Sequence, residues 1–286
     1  MVKLPFMQPI VVGLVLLFGG AIAIVATGQQ KQVATPRHLH HEHHSSTPTH
    51  DHSGGAPTTH AELVNSPTPI SQQPTTFTLA IRTHTGEAVR QFERFQEELM
   101  HLIIVSEDLQ VFQHLHPRYL GEGQFQVTTT LPQGGSYTLI ADYKPAGAKE
   151  TVAMIPIAAQ GTPPASSAPT AQTTQVIGTT AVELKLSQPL KAGSAVEVAF
   201  RLRDTTTQQP PTDLRPYLGE AGHLVILRAT TPLKPADYLH AHALDRQPKE
   251  TIRFMTQFPT PGRYKLWAQF QRGQQIVTAP FWVTVN

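Results

Sequence analysis

From Thr76 onward, apolar and polar residues alternate in short runs broken by Gly, Pro and Asp. Period-2 alternation with many β-branched and aromatic residues marks half-buried strands. In the first stretch the runs are TFTLAIRT (76–83), RQFERF (90–95), MHLIIVS (100–106), VFQHLH (111–116), QFQVTTTL (124–131), SYTLIADY (136–143) and TVAMIPI (151–157). A Pro/Ala/Ser/Thr-rich stretch follows, read as a linker over 159–178. The alternation then resumes in TTAVELKL (179–186), AVEVAFRL (195–202), HLVILRA (223–229), DYLHAHA (237–243), TIRFMTQF (251–258), RYKLWAQF (263–270) and IVTAPFWVTV (276–285). Seven short strands per stretch, with no long helical period, predict an all-β chain of two immunoglobulin-like β-sandwiches at 76–158 and 179–286.

The two stretches align with each other. MHLIIVSEDLQVFQHLHP answers GHLVILRATTPLKPADYLHAHA, and FQVTTTLPQGGSYTLIADY answers IRFMTQFPTPGRYKLWAQF. This internal duplication argues for tandem copies of one unit. In each copy the second motif reads as two strands joined by a Gly-containing turn, at Gly134–Gly135 and Pro261–Gly262. That pattern predicts a hairpin.

The remaining chain has a different texture. Lys3 precedes an uncharged apolar run from Pro9 to Thr27, long enough to cross a bilayer as a helix. Ala21 and Ala23 also fit a cleavage site, but Ile24, Val25 and Ala26 carry the run past it, which favours an uncleaved anchor within residues 1–29. Either reading exports the rest: membrane-tethered through residues 9–27, or secreted if the segment is cut. Residues 30–75 are poor in large apolar side chains and rich in Thr, Pro, Ser and Gln, the composition of a disordered spacer. That spacer carries His38, His40, His41, His43, His44, His50, His52 and His60, a tract suited to loose binding of Cu, Zn or Ni.

Charged residues form 15% of the chain and the net charge is +2, so no basic surplus points to nucleic acid. Cysteine is absent, which removes disulfides, thiolate metal sites and a cysteine nucleophile. The 286 residues include 15 histidines, and their placement is the chemical signal. In the two repeats, His101, His114 and His116 are matched by His223, His240 and His242, while His84 has no counterpart.

A His-x-His strand places both rings on one face. A hairpin centred near Asp108–Leu109 sets His101 opposite His116, and one centred near Pro232–Leu233 sets His223 opposite His242. Opposed side chains have Cβ atoms about 5 Å apart, so each repeat would gather three imidazoles. Three imidazoles suit Cu(II) or Zn(II). Met100 lies on the opposite face, which gives little support for Cu(I). Two other readings fit the same residues: rings packed and bonded to main-chain carbonyls, or a patch that binds a protein or small ligand.

No G-x-S-x-G elbow or H-E-x-x-H helix is present, and the GEGQ motif at 121–124 precedes a strand without a helix to follow. The chain therefore reads as non-catalytic. FQHLHP (112–117), PYLGEAGHLVILR (216–228) and YLHAHA (238–243), set in paired all-β repeats, resemble bacterial exported proteins of the heavy-metal-binding or YtkA-like type. The resemblance spans about residues 76–286. It implies an immunoglobulin-like fold, an extracytoplasmic location and a link to metal handling, with no catalytic residues carried over. The chain lacks the Met-rich loop of small copper-binding sandwiches.

Overall fold

The computed structural model describes residues 58–65, 67–164 and 170–286. The apolar run at 9–27 and His38, His40, His41, His43, His44, His50 and His52 lie outside the described residues. Among the described residues, no helix is long and apolar enough to cross a membrane.

The first repeat comprises β1 (Thr59–Leu63), β2 (Pro74–Thr83), β3 (Met100–Ser106), β4 (Phe112–Leu115), β5 (Arg118–Gly121), β6 (Gln124–Thr130), β7 (Gly135–Tyr143) and β8 (Thr151–Ala159). The second comprises β9 (Thr174–Ile177), β10 (Thr180–Leu186), β11 (Ala195–Asp204), β12 (Leu214–Arg215), β13 (His223–Arg228), β14 (Tyr238–His242), β15 (Thr251–Gln257), β16 (Gly262–Arg272) and β17 (Gln275–Val285). In each repeat one sheet faces another: β1-β2-β6-β5 against β4-β3-β7-β8, then β9-β10-β11-β15 against a sheet in which β16 pairs β12, β13 and β17, and β13 pairs β14. All strand pairs are antiparallel, giving two immunoglobulin-like sandwiches.

Each sandwich closes on its own apolar core. Phe77, Leu79, Ile81, Leu102, Ile104, Phe125, Leu139 and Tyr143 fill the first. Phe200, Phe254, Phe270, Phe281, Leu224, Ile226 and Leu266 lead the second.

Four departures from the sequence reading have physical causes. First, the turns at Gly134–Gly135 and Pro261–Gly262 do not close hairpins. β6 and β7 lie in different sheets, as do β15 and β16, so each turn is a corner between the two layers. The Tyr137 hydroxyl donates to Gln133 O at 2.8 Å and the Tyr264 hydroxyl to Thr260 O at 2.7 Å, tying each corner back on itself. Gly135 (φ 117°) and Gly262 (φ 146°) occupy backbone that L side chains avoid.

Second, strand β1 and the start of β2 fall inside the stretch read as spacer. β1 pairs along all of its length with β2, and its Thr59 hydroxyl bonds the Tyr143 hydroxyl at 3.1 Å. Third, β9 falls inside the expected linker and pairs with β10. Fourth, RQFERF (90–95) forms only isolated bridges, such as Phe92 with Pro145; positive φ at Gln96 and Glu97 turns the chain away from extended pairing.

The parity of β3 and β13 sets the relation between the repeats. In β3, Met100, Leu102 and Ile104 face the first core, so His101, Ile103 and Val105 face outward; every residue of the strand is buried. In β13, Leu224 and Ile226 face the second core, so His223, Val225 and Leu227 face outward. The outward residues form a third apolar cluster: Ile103, Val105 and Ile140 from the first repeat, with Val225, Leu227, Tyr238 and Trp267 from the second. Phe112 stacks on Trp267 across this junction, with ring centroids 4.7 Å apart and planes at 17°. The two sandwiches thus pack face to face, where the sequence suggested only that they follow one another.

Candidate metal centre at the junction of the repeats

The outward face that carries Ile103 and Val225 ends in histidine on both strands. β3 pairs β4 with Leu102 opposite Leu115 and Ile103 opposite His114; continuing that register sets His101 against His116, whose rings lie 5.2 Å apart. β13 pairs β14 with His223 opposite His242 and Val225 opposite His240. On the other side of each histidine strand a polar residue shares the same face: Asp142 of β7 opposite His101, and Gln269 of β16 opposite His223. Both are buried.

Contacts cross the junction reciprocally. Gln269 of the second repeat reaches His114 of the first, with Oε1 2.6 Å from Nδ1. Asp142 of the first reaches His240 of the second, with Oδ2 3.3 Å from Nδ1, and also accepts from the Tyr238 hydroxyl at 3.0 Å. The remaining anchors repeat within each half. His101 Nε2 donates to Phe95 O at 3.1 Å, and His223 Nε2 to Tyr217 O at 2.9 Å.

These anchors fix which nitrogens carry protons. A carbonyl only accepts, so Nε2 of His101 and His223 holds the proton and Nδ1 keeps its lone pair. The amide nitrogen of Gln269 donates to Thr278 Oγ1 at 3.1 Å, which turns its oxygen toward His114. His114 then donates from Nδ1 and presents a bare Nε2. That atom lies 3.0 Å from His101 Nδ1. His116 Nε2 is buried and has no hydrogen-bond partner. His101, His114 and His116 each offer one nitrogen, all within 4.8 Å of one another. Two nitrogens bound to one zinc at about 2.0–2.1 Å in tetrahedral geometry stand about 3.3 Å apart, so the spacing fits shared coordination.

The electrostatics keep these rings neutral. Burial, aided by His240 and His114, holds His101 well below the ordinary histidine range. Burial pushes His114 down to about 4 against a smaller upward pull from Gln269. Burial also lowers His116. His223 is held low by burial and then by His240 and His114. Neutral imidazole is the form that ligates a metal.

The second set of three does not converge as the first does. His223 Nδ1 lies 3.5 Å from His240 Nε2 and the His242 ring is 5.5 Å from that of His240, but the ligand-distance group around His240 contains Asp142 and Glu150, without His223 or His242. Asp142 holds the His240 ring from the other repeat. The two sets also meet: the His101 ring is 5.6 Å from that of His240, and the His114 ring 6.1 Å from that of His223. Met100 points into the first core. His60 sits on β1 opposite Arg82, and His84 just beyond β2, both outside these groups. Sequence reasoning missed Asp142 and Gln269; the available signal was one polar residue at the matched position of LIADY and LWAQF.

A family model described as a domain of unknown function (DUF8832) matches residues 58–160 and again 174–286. No curated protein matches the sequence. Among solved structures, the Salmonella alpha-2-macroglobulin mutant Y1175G is 14% identical over 83% of this chain and 16% of its own, with a TM-score of 0.27. Invasin, a bacterial integrin-binding protein, is 12% identical over 78% of this chain and 39% of its own, with a TM-score of 0.23. A two-domain fibronectin type III segment of chicken tenascin is 14% identical over 78% of this chain and 97% of its own, with a TM-score of 0.22. The chain thus spans well under two thirds of the first two.

Proposed function

The chain belongs to the DUF8832 family, which it matches twice, and on that premise we propose that it is a non-catalytic metal-binding module. The ion is Cu(II) or Zn(II), held by His101 Nδ1, His114 Nε2 and His116 Nε2. One observation carries this reading: buried His101 and the half-buried His114 and His116 each bring a ring nitrogen within 4.8 Å of the others, and His116 Nε2 is buried without a hydrogen-bond partner. A buried polar atom without a partner is costly, and a metal ion would satisfy it. His101 and His114 also donate their other N–H to fixed oxygens, as metal-bound histidines ordinarily do. The apolar run at 9–27 supports an extracytoplasmic module held at a membrane, with His38 to His52 as a looser collecting tract.

The test is the unfolding midpoint of the full chain with and without Zn(II) or Cu(II). Saturation at about 100 times the dissociation constant adds about 2.7 kcal/mol to the folded state. A variant with His101, His114 and His116 all replaced by alanine should lose that rise. A wild-type midpoint indifferent to both ions defeats the reading.

A second reading puts the His114 proton on Nε2 in place of Nδ1, so that it donates to His101 Nδ1 at 3.0 Å. In that case the histidines are structural pins of an interaction module, and metal leaves the midpoint unchanged.

A further inference from the structure

We propose that the metal centre of the first repeat is completed by the second, through Gln269, so that ion binding and the packing of the two repeats form one equilibrium. This rests on the metal reading above. His114 has two ring nitrogens, and its contact with His101 inside the first repeat is compatible with the proton on either one. Its β-strand places it against His101, whose Nδ1 could equally accept a proton from His114 Nε2. In that tautomer the proton lies between the two nitrogens and blocks the ion.

Gln269 decides the matter from across the junction. Its Oε1 accepts from His114 Nδ1 at 2.6 Å, and its amide nitrogen is committed to Thr278 Oγ1 at 3.1 Å on neighbouring β17. The side chain is 4% exposed, so water does not compete for the acceptor. Its position is rigid, because β16 pairs with β13 on one side and β17 on the other, with Gln269 opposite both His223 and Thr278. With Nδ1 donating to Gln269, Nε2 of His114 points a lone pair at the space shared with His101 Nδ1 and His116 Nε2.

Gln269 is therefore a positioning residue and touches no ion itself. The apolar cluster of Ile103, Val105, Val225, Leu227 and Trp267 holds it at that distance. By linkage, whatever the docked junction adds to ion affinity, the ion returns to the junction. On the other diagonal Asp142 reaches His240, so each repeat lends its β7 or β16 polar residue to the opposite repeat's histidine.

The experiment is a Zn(II) titration of the full-length protein against a chromophoric chelator, in wild type, Gln269→Met, Gln269→Glu and the His101/His114/His116 triple alanine variant. Circular dichroism checks the fold of each. Loss of an oxygen that orients a metal-bound histidine weakens binding by about 10–100-fold. Gln269→Met should weaken zinc binding by that factor, and Gln269→Glu, which keeps the acceptor, should bind at least as tightly as wild type.

Wild-type affinity in a folded Gln269→Met overturns the proposal while leaving the metal reading intact. Equal losses in both variants also overturn it, because packing alone would then explain them. If Gln269→Met does not fold, Gln269→Glu decides: weaker binding overturns. If wild type and the triple alanine variant bind zinc identically, the metal reading itself fails.

Discussion

Acid should loosen this protein in a specific pH window, because burial holds His101, His114 and His223 at the junction as neutral rings. His114 provides the worked case. Unfolded, it titrates near its ordinary value of 6.5; folded, burial holds it at about 4. Between those values the unfolded chain takes up a proton that the folded chain refuses. Stability from this group is therefore full above about pH 6.5, falls as the pH drops through the window, and stops falling below about pH 4.

At about pH 5 the unfolded imidazole is protonated by about 30 to 1, which favours unfolding by about 2 kcal/mol relative to pH 7.5. At about pH 4 the loss from His114 approaches 3 kcal/mol. A chain of this size loses about 2–4 °C of midpoint per kcal/mol, so His114 alone accounts for about 4–8 °C at pH 5. His101 and His223, displaced in the same direction, add to this. The groups facing His114 are His101, His116, His223, Tyr217 and Gln269, none of which supplies a carboxylate to hold a proton on it.

The assay is thermal or urea unfolding between about pH 7.5 and pH 4.5 with a chelator present, in wild type and His114→Gln. The variant should show a pH slope shallower by about 2 kcal/mol over pH 7.5 to 5. A flat wild-type profile, or one that gains stability as pH falls, refutes the claim that these rings are buried neutral.

Two further outcomes follow from the fold. Tyr137→Phe and Tyr264→Phe should each cost about 1 kcal/mol in urea unfolding, since each hydroxyl makes one hydrogen bond to a main-chain oxygen at its corner; a change within error would show that the corners are held by the glycine backbone instead. Arg272→Ala should return the Asp204 carboxyl, held at about 2 by the guanidinium and then by the Thr207 and Thr206 amides, toward its ordinary 3.8. The direction of linkage is that this group stabilises the fold above about pH 4 and loses that effect as the pH falls through about 2. A carbon-13 NMR titration of the Asp204 carboxyl reads the change directly.

Much of this was legible in the chain. The apolar runs in MHLIIVS and HLVILR announced strands, and the two-residue spacing of His114–His116 and His240–His242 announced rings on a shared face. The register followed from the loop centres and is the one found for His223 with His242.

What failed to show has local causes. LPQGGSY and FPTPGRY have the turn chemistry of a hairpin, and nothing in the turn distinguishes a reversal within a sheet from a step between sheets; the tyrosine after each glycine was the available clue. THAEL is short and half polar, so β1 is defined by its partner β2 more than by its own composition. The convergence of both histidine sets at one junction was hidden, because parity gives the outward face of a strand but not what covers it. Asp142 and Gln269 matter only across that covering contact, which joins residues about a hundred or more positions apart in sequence.

The outward apolar face of β3 and β13 bears on how the duplication should be understood. Many tandem sandwiches act as beads on a string, each able to leave its neighbour without exposing oil to water. Here Ile103, Val105, Val225, Leu227 and Trp267 would form a bare hydrophobic wall on either half alone. The duplicated unit is therefore a matched pair in a single folded body. A nick in the chain between β8 and β9 should leave the halves clasped, because what joins them is the wall and not the connection.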